Sequence, residues 1–98
     1  MKESHMITAI VHIDVEADRI PEVAAQVAEL PGVTEAYSTT GDVDIIAVVR
    51  VAQHDMLADV IADRVSKVSG VVRTRTYIAF QAYSQHDLEA AFALGLDD

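Results

Sequence analysis

The sequence has no cysteine, which excludes a disulfide scaffold, thiolate metal sites and a cysteine nucleophile. It is also short of base. Only 7 Lys and Arg stand against 16 Asp and Glu, a net charge of −9. A surface that acidic repels a phosphate backbone, so the chain alone is not expected to bind DNA or RNA. No apolar stretch approaches the roughly 20 residues of a membrane span, and no secretory signal is visible. Gly-rich phosphate loops, His-Glu-x-x-His, Gly-x-Ser-x-Gly and dinucleotide fingerprints are missing, so no cofactor is expected and any enzymatic reading would rest on fold alone. Present instead are 98 residues, 51% of them hydrophobic. That suffices for one domain with one core, and a small cytoplasmic domain is the expectation.

Residues Met1 to His5 carry no hydrophobic period and read as the remnant of an expression tag, with the domain starting at Met6. From Ile7 to Val15 apolar residues alternate, with Ile7, Ala9, Val11, Ile13 and Val15 on one side. Ile10 on the other side predicts a strand whose two faces are both partly covered. Ile20, Val23, Val27 and Leu30 then trace an amphipathic helix. Pro21 fits its first turn and Pro31-Gly32 ends it. Val33 to Thr40 and Val43 to Val51 read as two strands turning at Gly41-Asp42. Leu57, Val60, Ile61, Arg64, Val65 and Val68 form a second helical stripe, closed by Gly70. Val71 to Gln81 reads as a fourth strand. Ser84 begins a short terminal helix, with Asp87 in capping-box position, and residues 82–98 are assigned to a C-terminal helical extension.

The order is β-α-β-β-α-β plus a C-terminal helix. A shift of 38 residues lays Ala9, Val11 and Ile13 on Ala47, Val49 and Val51. The same shift lays Val23, Ala24 and Val27 on Ile61, Ala62 and Val65, and Gly32-Val33 on Gly70-Val71. Two β-α-β halves in one register predict an α+β, ferredoxin-like sandwich, with a four-stranded antiparallel sheet and two helices on one face. The bare face would carry Ile10, His12, Ile46, Val48 and Arg50. Such an apolar patch calls for a partner, most simply a second copy related by two-fold symmetry, or else for the C-terminal helix folded back over the sheet.

The segment Thr39 to Asp44 is the most polar and geometrically special part of the chain. Gly41 exposes backbone groups, and Asp44 can meet an ammonium group; the same segment also fits an ordinary solubility turn. The four histidines lack metal-ligand spacing. His12 on the open face is either a general base or a packed interface residue. Arg73 and Arg75 either grip an anion or answer the surrounding acid.

The run Leu30-Pro-Gly-Val, the hairpin Thr40-Gly-Asp-Val-Asp44 and the last-strand Arg73-Thr-Arg-Thr76 together resemble the effector-binding (RAM) domain of the Lrp/AsnC regulators, over Met6 to Gln81. The resemblance implies a non-enzymatic module involved in transcriptional regulation. It implies homodimers that pair sheet to sheet and assemble into higher rings, commonly octamers, with a small effector such as an amino acid lodged between dimers. Carried onto this sequence, Thr40, Gly41, Asp42 and Asp44 match the hairpin, and Thr74 and Thr76 match the last strand. Family regulators carry an N-terminal helix-turn-helix domain that this sequence lacks. It therefore resembles a stand-alone form that assembles with itself or with full-length relatives. Two rivals share the topology: an ACT-like amino-acid sensor, and a small dimeric α+β-barrel enzyme of the monooxygenase or isomerase type. The enzyme would need a cavity enclosed within one protomer.

Overall fold

The computed structural model describes residues 6–83. Both the Met1-to-His5 segment and the helix expected from Ser84 lie outside the described residues. The first strand, β1, runs Ile7–Val15, with the bounds that its alternation predicts. A single turn at Ala17–Arg19 leads into α1, Ile20–Ala28. Pro21 sits in the first turn of α1, where its missing N–H costs no hydrogen bond. Strands β2 (Val33–Ser38) and β3 (Ile45–Val51) follow, then α2 (His54–Ala58) and finally β4 (Val71–Ile78). The sheet order is β2-β3-β1-β4, with every neighbouring pair antiparallel. Each β-α-β half thus brackets a strand of the other half, which is the ferredoxin-like arrangement.

Alternation along β1 and β3 assigns the two faces. Ala9, Val11 and Ile13 pair with Val49, Ala47 and Ile45, and all six are fully buried beneath the helices. Val23 and Val27 of α1, with Leu57, Val60 and Val65 beyond β3, close this core from above. The 38-residue repeat therefore superposes core on core in the strands and at Val27 and Val65, while Val23 falls on half-buried Ile61 and Ala24 on exposed Ala62. Its two glycines correspond as well, both with positive φ: Gly32 at 94° and Gly70 at 102°. The carbonyl of Gly32 accepts from the Arg50 N–H and that of Gly70 from the Glu16 N–H, each at 2.9 Å.

Three expectations need correction. The connection between β2 and β3 is longer than a two-residue turn, because β2 ends at Ser38 and β3 starts at Ile45. Thr39 and Asp44 direct their hydrogen bonds within the loop and to β1 rather than to a ladder. The last strand stops at Ile78 rather than Gln81. The second helix is not a uniform α-helix. After α2 the chain widens into a π-helical segment, Asp59–Arg64, and tightens at Val65–Lys67. Residues five apart stand about 140° apart on an α-helix but come onto one face, roughly as residues four apart do on an α-helix, when hydrogen bonds run from i to i+5. The wider turn lets Val60 and Val65 both reach the core, and it leaves Arg64, expected in the apolar stripe, exposed.

The close approach at Gly32 generates a prediction. A Cβ there would lie 2.7 Å from Val60 Cγ2, whereas a Cβ at Gly41, φ 105°, would meet nothing within 4 Å. Both substitutions carry the cost of positive φ, on the order of 1–2 kcal/mol, and only Gly32 adds a clash. Urea denaturation should show Gly32→Ala losing clearly more stability than Gly41→Ala.

Candidate functional site

The connection 39–44 closes on itself. The Thr39 N–H donates to the Asp44 carbonyl at 3.0 Å, and the Thr39 hydroxyl donates to the Val43 carbonyl. These bonds close the base of the loop, and the tip, Thr40-Gly41-Asp42, is exposed. Thr39 was not among the expected site residues, yet it ties the loop. Its signal in the sequence is a hydroxyl four residues before a β-branched strand start, too common a pattern to single out.

Asp44 has a structural task. Its Oδ2 accepts from the Val15 N–H at 2.9 Å, linking the loop to the end of β1. That N–H sits where the β1–β4 register shifts between Asp14 and Val15, at an irregularity in the ladder. The carboxylate supplies the acceptor there.

Thr74 and Thr76 stand apart from this loop. Thr74 pairs with Ile13 and Thr76 with Val11, so both lie on the helix-facing side of the edge strand β4. Strand β1 separates β4 from β3. At about 4.8 Å per strand, roughly 10 Å of sheet lies between the threonines' strand and the strand that the loop enters. Thr40, Gly41, Asp42 and Asp44 thus cluster where β3 begins; Thr74, level with Ile45 through Ile13, stands two strands away at that same end, and Thr76 lies two residues further along β4.

The other face of the sheet is assembled by register. His12 lies between Ile46 of β3 and Arg75 of β4, while Ile10 lies between Val48 and Tyr77. Tyr37 of β2 pairs with Ile46. Tyr37 and Tyr77 are each 52% exposed, and the His12 and Tyr77 rings are tilted at 55° with centroids 4.9 Å apart. At the same end as the loop, Arg73 and Arg75 reach Asp14 at 3.2 and 3.7 Å. The two arginines therefore answer local acid. The longer contact falls outside hydrogen-bond range, and Asp14 Oδ1 is a buried atom with no hydrogen-bond partner among the described residues.

A feature that the sequence reading missed lies at the opposite end of β3. Gly32, Val51, Met56 and Val60, with Arg50, Asp59 and Arg64, line a half-open groove of about 370 Å³. Its one signal in the sequence is Arg64, a charge in an otherwise apolar helical stripe.

With this geometry in place, the comparisons are specific. Residues 8–88 match the family model for the Lrp/AsnC ligand binding domain. The chain belongs to that family. It is 32% identical over 79 residues to the HTH-type transcriptional regulator FL11 of Pyrococcus furiosus, covering 81% of this chain and 52% of FL11. The structure of TTHA0845 from Thermus thermophilus is 40% identical, with a TM-score of 0.75, covering 81% of this chain and 99% of that one. Escherichia coli AsnC is 25% identical with a TM-score of 0.78, covering 87% of this chain and 59% of its own. The chain thus spans about half the length of FL11, and it is an Lrp/AsnC-type ligand-binding domain of ferredoxin-like fold.

The Asp44–Val15 contact can be tested directly. Asp44→Ala leaves a half-buried N–H without its acceptor and should cost about 1–3 kcal/mol. Asp44→Asn keeps an acceptor oxygen and should cost clearly less. Urea melts of the two variants read the difference.

Proposed function

We propose that the domain is an effector-binding and assembly module of the Lrp/AsnC type. In this reading it senses a small zwitterion such as an amino acid, serves transcriptional regulation in the cytoplasm, and makes no DNA contacts of its own. The observation that carries it is the loop 39–44. Two hydrogen bonds from Thr39 close the base of the loop, and its tip offers Gly41 backbone groups to solvent. Open space around Gly41 leaves room for a ligand. Asp44 uses Oδ2 on β1, and its other oxygen is available to the ligand's ammonium group. A carboxylate already anchored through one oxygen presents the second without further loss of side-chain freedom.

The sheet's open face supports self-assembly. Ile10, Ile46 and Val48 remain half-exposed in one protomer, with Tyr37 and Tyr77 beside them. A second copy related by a two-fold axis would cover them, and dimers would assemble further into a ring or mix with full-length regulators. Thr74 and Thr76, on the helix-facing side of the edge strand β4, would reach an effector only across a contact between dimers. The barrel-enzyme rival needs a cavity between sheet and helices. Here Val11, Ile13, Ile45, Val49, Val23 and Val27 fill that space with no exposure, and His12 faces away from it.

Two outcomes are expected. Calorimetry against the common amino acids should find a ligand whose affinity falls about ten- to a hundredfold in Asp44→Asn, the loss of a charge-assisted hydrogen bond. Equal affinities would remove Asp44 from the site. Purified protein should run through immobilised duplex DNA at physiological ionic strength, and salt-sensitive retention would contradict the reading.

A further inference from the structure

The groove beyond β3 lies at the end of that strand opposite the loop 39–44, and effector binding at that loop does not use it. Val51, Met56 and Val60 make its apolar wall, and Val60 packs over Gly32. The wall is incompletely covered. Met56 stays 45% exposed, and Met6, also on the lining, 46%. Arg64, the last residue of the π-helical segment, stands beside this wall.

The chain itself leads to this groove. After β4 the Ala79 N–H donates to the Thr8 carbonyl at 2.8 Å, so the backbone still follows β1 just past the strand. Phe80, Gln81 and Ala82 then share a hollow with Met6, Thr8 and Arg50. Arg50 belongs to β3, two strands from β4 and so roughly 10 Å away. The chain beyond β4 therefore turns across the end of β1 toward β3. Met6 and Arg50 line both this hollow and the groove, so the two adjoin. The segment 84–98 thus starts two residues after Ala82, beside the groove.

The sequence of that segment fits the groove. Leu88, Ala91 and Phe92 have the three- and four-residue spacing that gives a helix one apolar side. Asp87, Glu89, Asp97 and Asp98 accompany them, with no Lys or Arg. An apolar helix side flanked by acid complements an apolar wall with an arginine beside it. Arg64 has no carboxylate within 4 Å among the described residues, whereas Arg73 and Arg75 contact Asp14 and Lys67 contacts Asp63. The open face of the sheet is the other apolar surface within reach, but it is broad, and Asp14 already holds its Arg73 and Arg75. Tethering also helps. A segment on a short linker meets its groove at an effective concentration in the millimolar range, so modest intrinsic affinity suffices.

We propose that the segment 84–98 docks in this groove of its own protomer. Leu88 and Phe92 lie against Val51, Met56 and Val60, and the acidic residues lie beside Arg64. The groove is then closed to outside partners by the chain's own segment, and the open face of the sheet stays available to a second copy.

Because the chain has no cysteine, two introduced cysteines are its only thiols. In the full chain at low micromolar concentration, Met56→Cys is combined with Leu88→Cys or with Phe92→Cys and oxidised in air. Intact mass should show single chains that have lost two hydrogens, the mark of an intramolecular disulfide. In at least one pair it should form about tenfold faster than in Val48→Cys with Phe92→Cys, which reports the open face. Adding Arg64→Glu should slow it roughly two- to fivefold, the scale of a surface ion pair. Circular dichroism checks that each variant is folded. Linkage no faster than in the open-face pair would overturn the proposal. So would disulfides formed only between chains, which would put a second copy's segment in the groove, or a rate indifferent to Arg64→Glu.

Discussion

The antiparallel ladder between β1 and β3 is the constraint on which everything else rests. These are the two inner strands, and both faces of the pair are apolar. On one face Ala9, Val11, Ile13, Ile45, Ala47 and Val49 are buried by the helices. A one-residue slip would turn that set outward, so burial locks the register. The same lock fixes the other face, where Ile10 and Val48, and His12 and Ile46, stand side by side. The chain cannot build its core without also building a second, half-covered apolar surface. In the proposed reading a second copy covers that surface.

The ends of these two strands carry the chemistry. Where β3 begins, Asp44 reaches across to the last N–H of β1 and settles the geometry of the loop before it. Where β3 ends, Gly32 lets the turn after α1 press against Val60, and the helix above winds wide enough to place Asp59 and Arg64 over one groove. The two ends differ in character. One presents backbone groups and acid to solvent, the other an arginine beside hydrocarbon. Each follows from how a loop or helix joins the same strand.

Most of the fold was legible because alternation and helical spacing are direct consequences of burial. The bounds of β1, the order of elements and the matching glycines could all be read from Ile7, Val23, Gly32 and their counterparts 38 residues on. The site was only partly legible. Gly41 and Asp44 stand out by residue type, but a sequence does not reveal that Asp44 spends an oxygen on Val15, since that bond joins residues 29 positions apart. Nor does spacing show a π turn: Leu57, Val60, Ile61 and Val65 fit an α-helical stripe almost as well, and the misfit is confined to Arg64. Thr74 and Thr76 came from family resemblance, and the register sets them about two strands away from the loop's strand.

The most direct test of this dependence is sedimentation equilibrium on the wild-type chain and on Ile46→Asp at micromolar concentration. Ile46 lies on the open face between Tyr37 and His12, so the substitution would bury an unpaired charge at the contact and cost several kcal/mol of association. The helix-facing core is untouched by it, and circular dichroism should show the variant folded. An even-numbered wild-type assembly and a folded Ile46→Asp monomer are the expected result. A wild-type monomer at that concentration, or a variant that assembles as the wild type does, would contradict it.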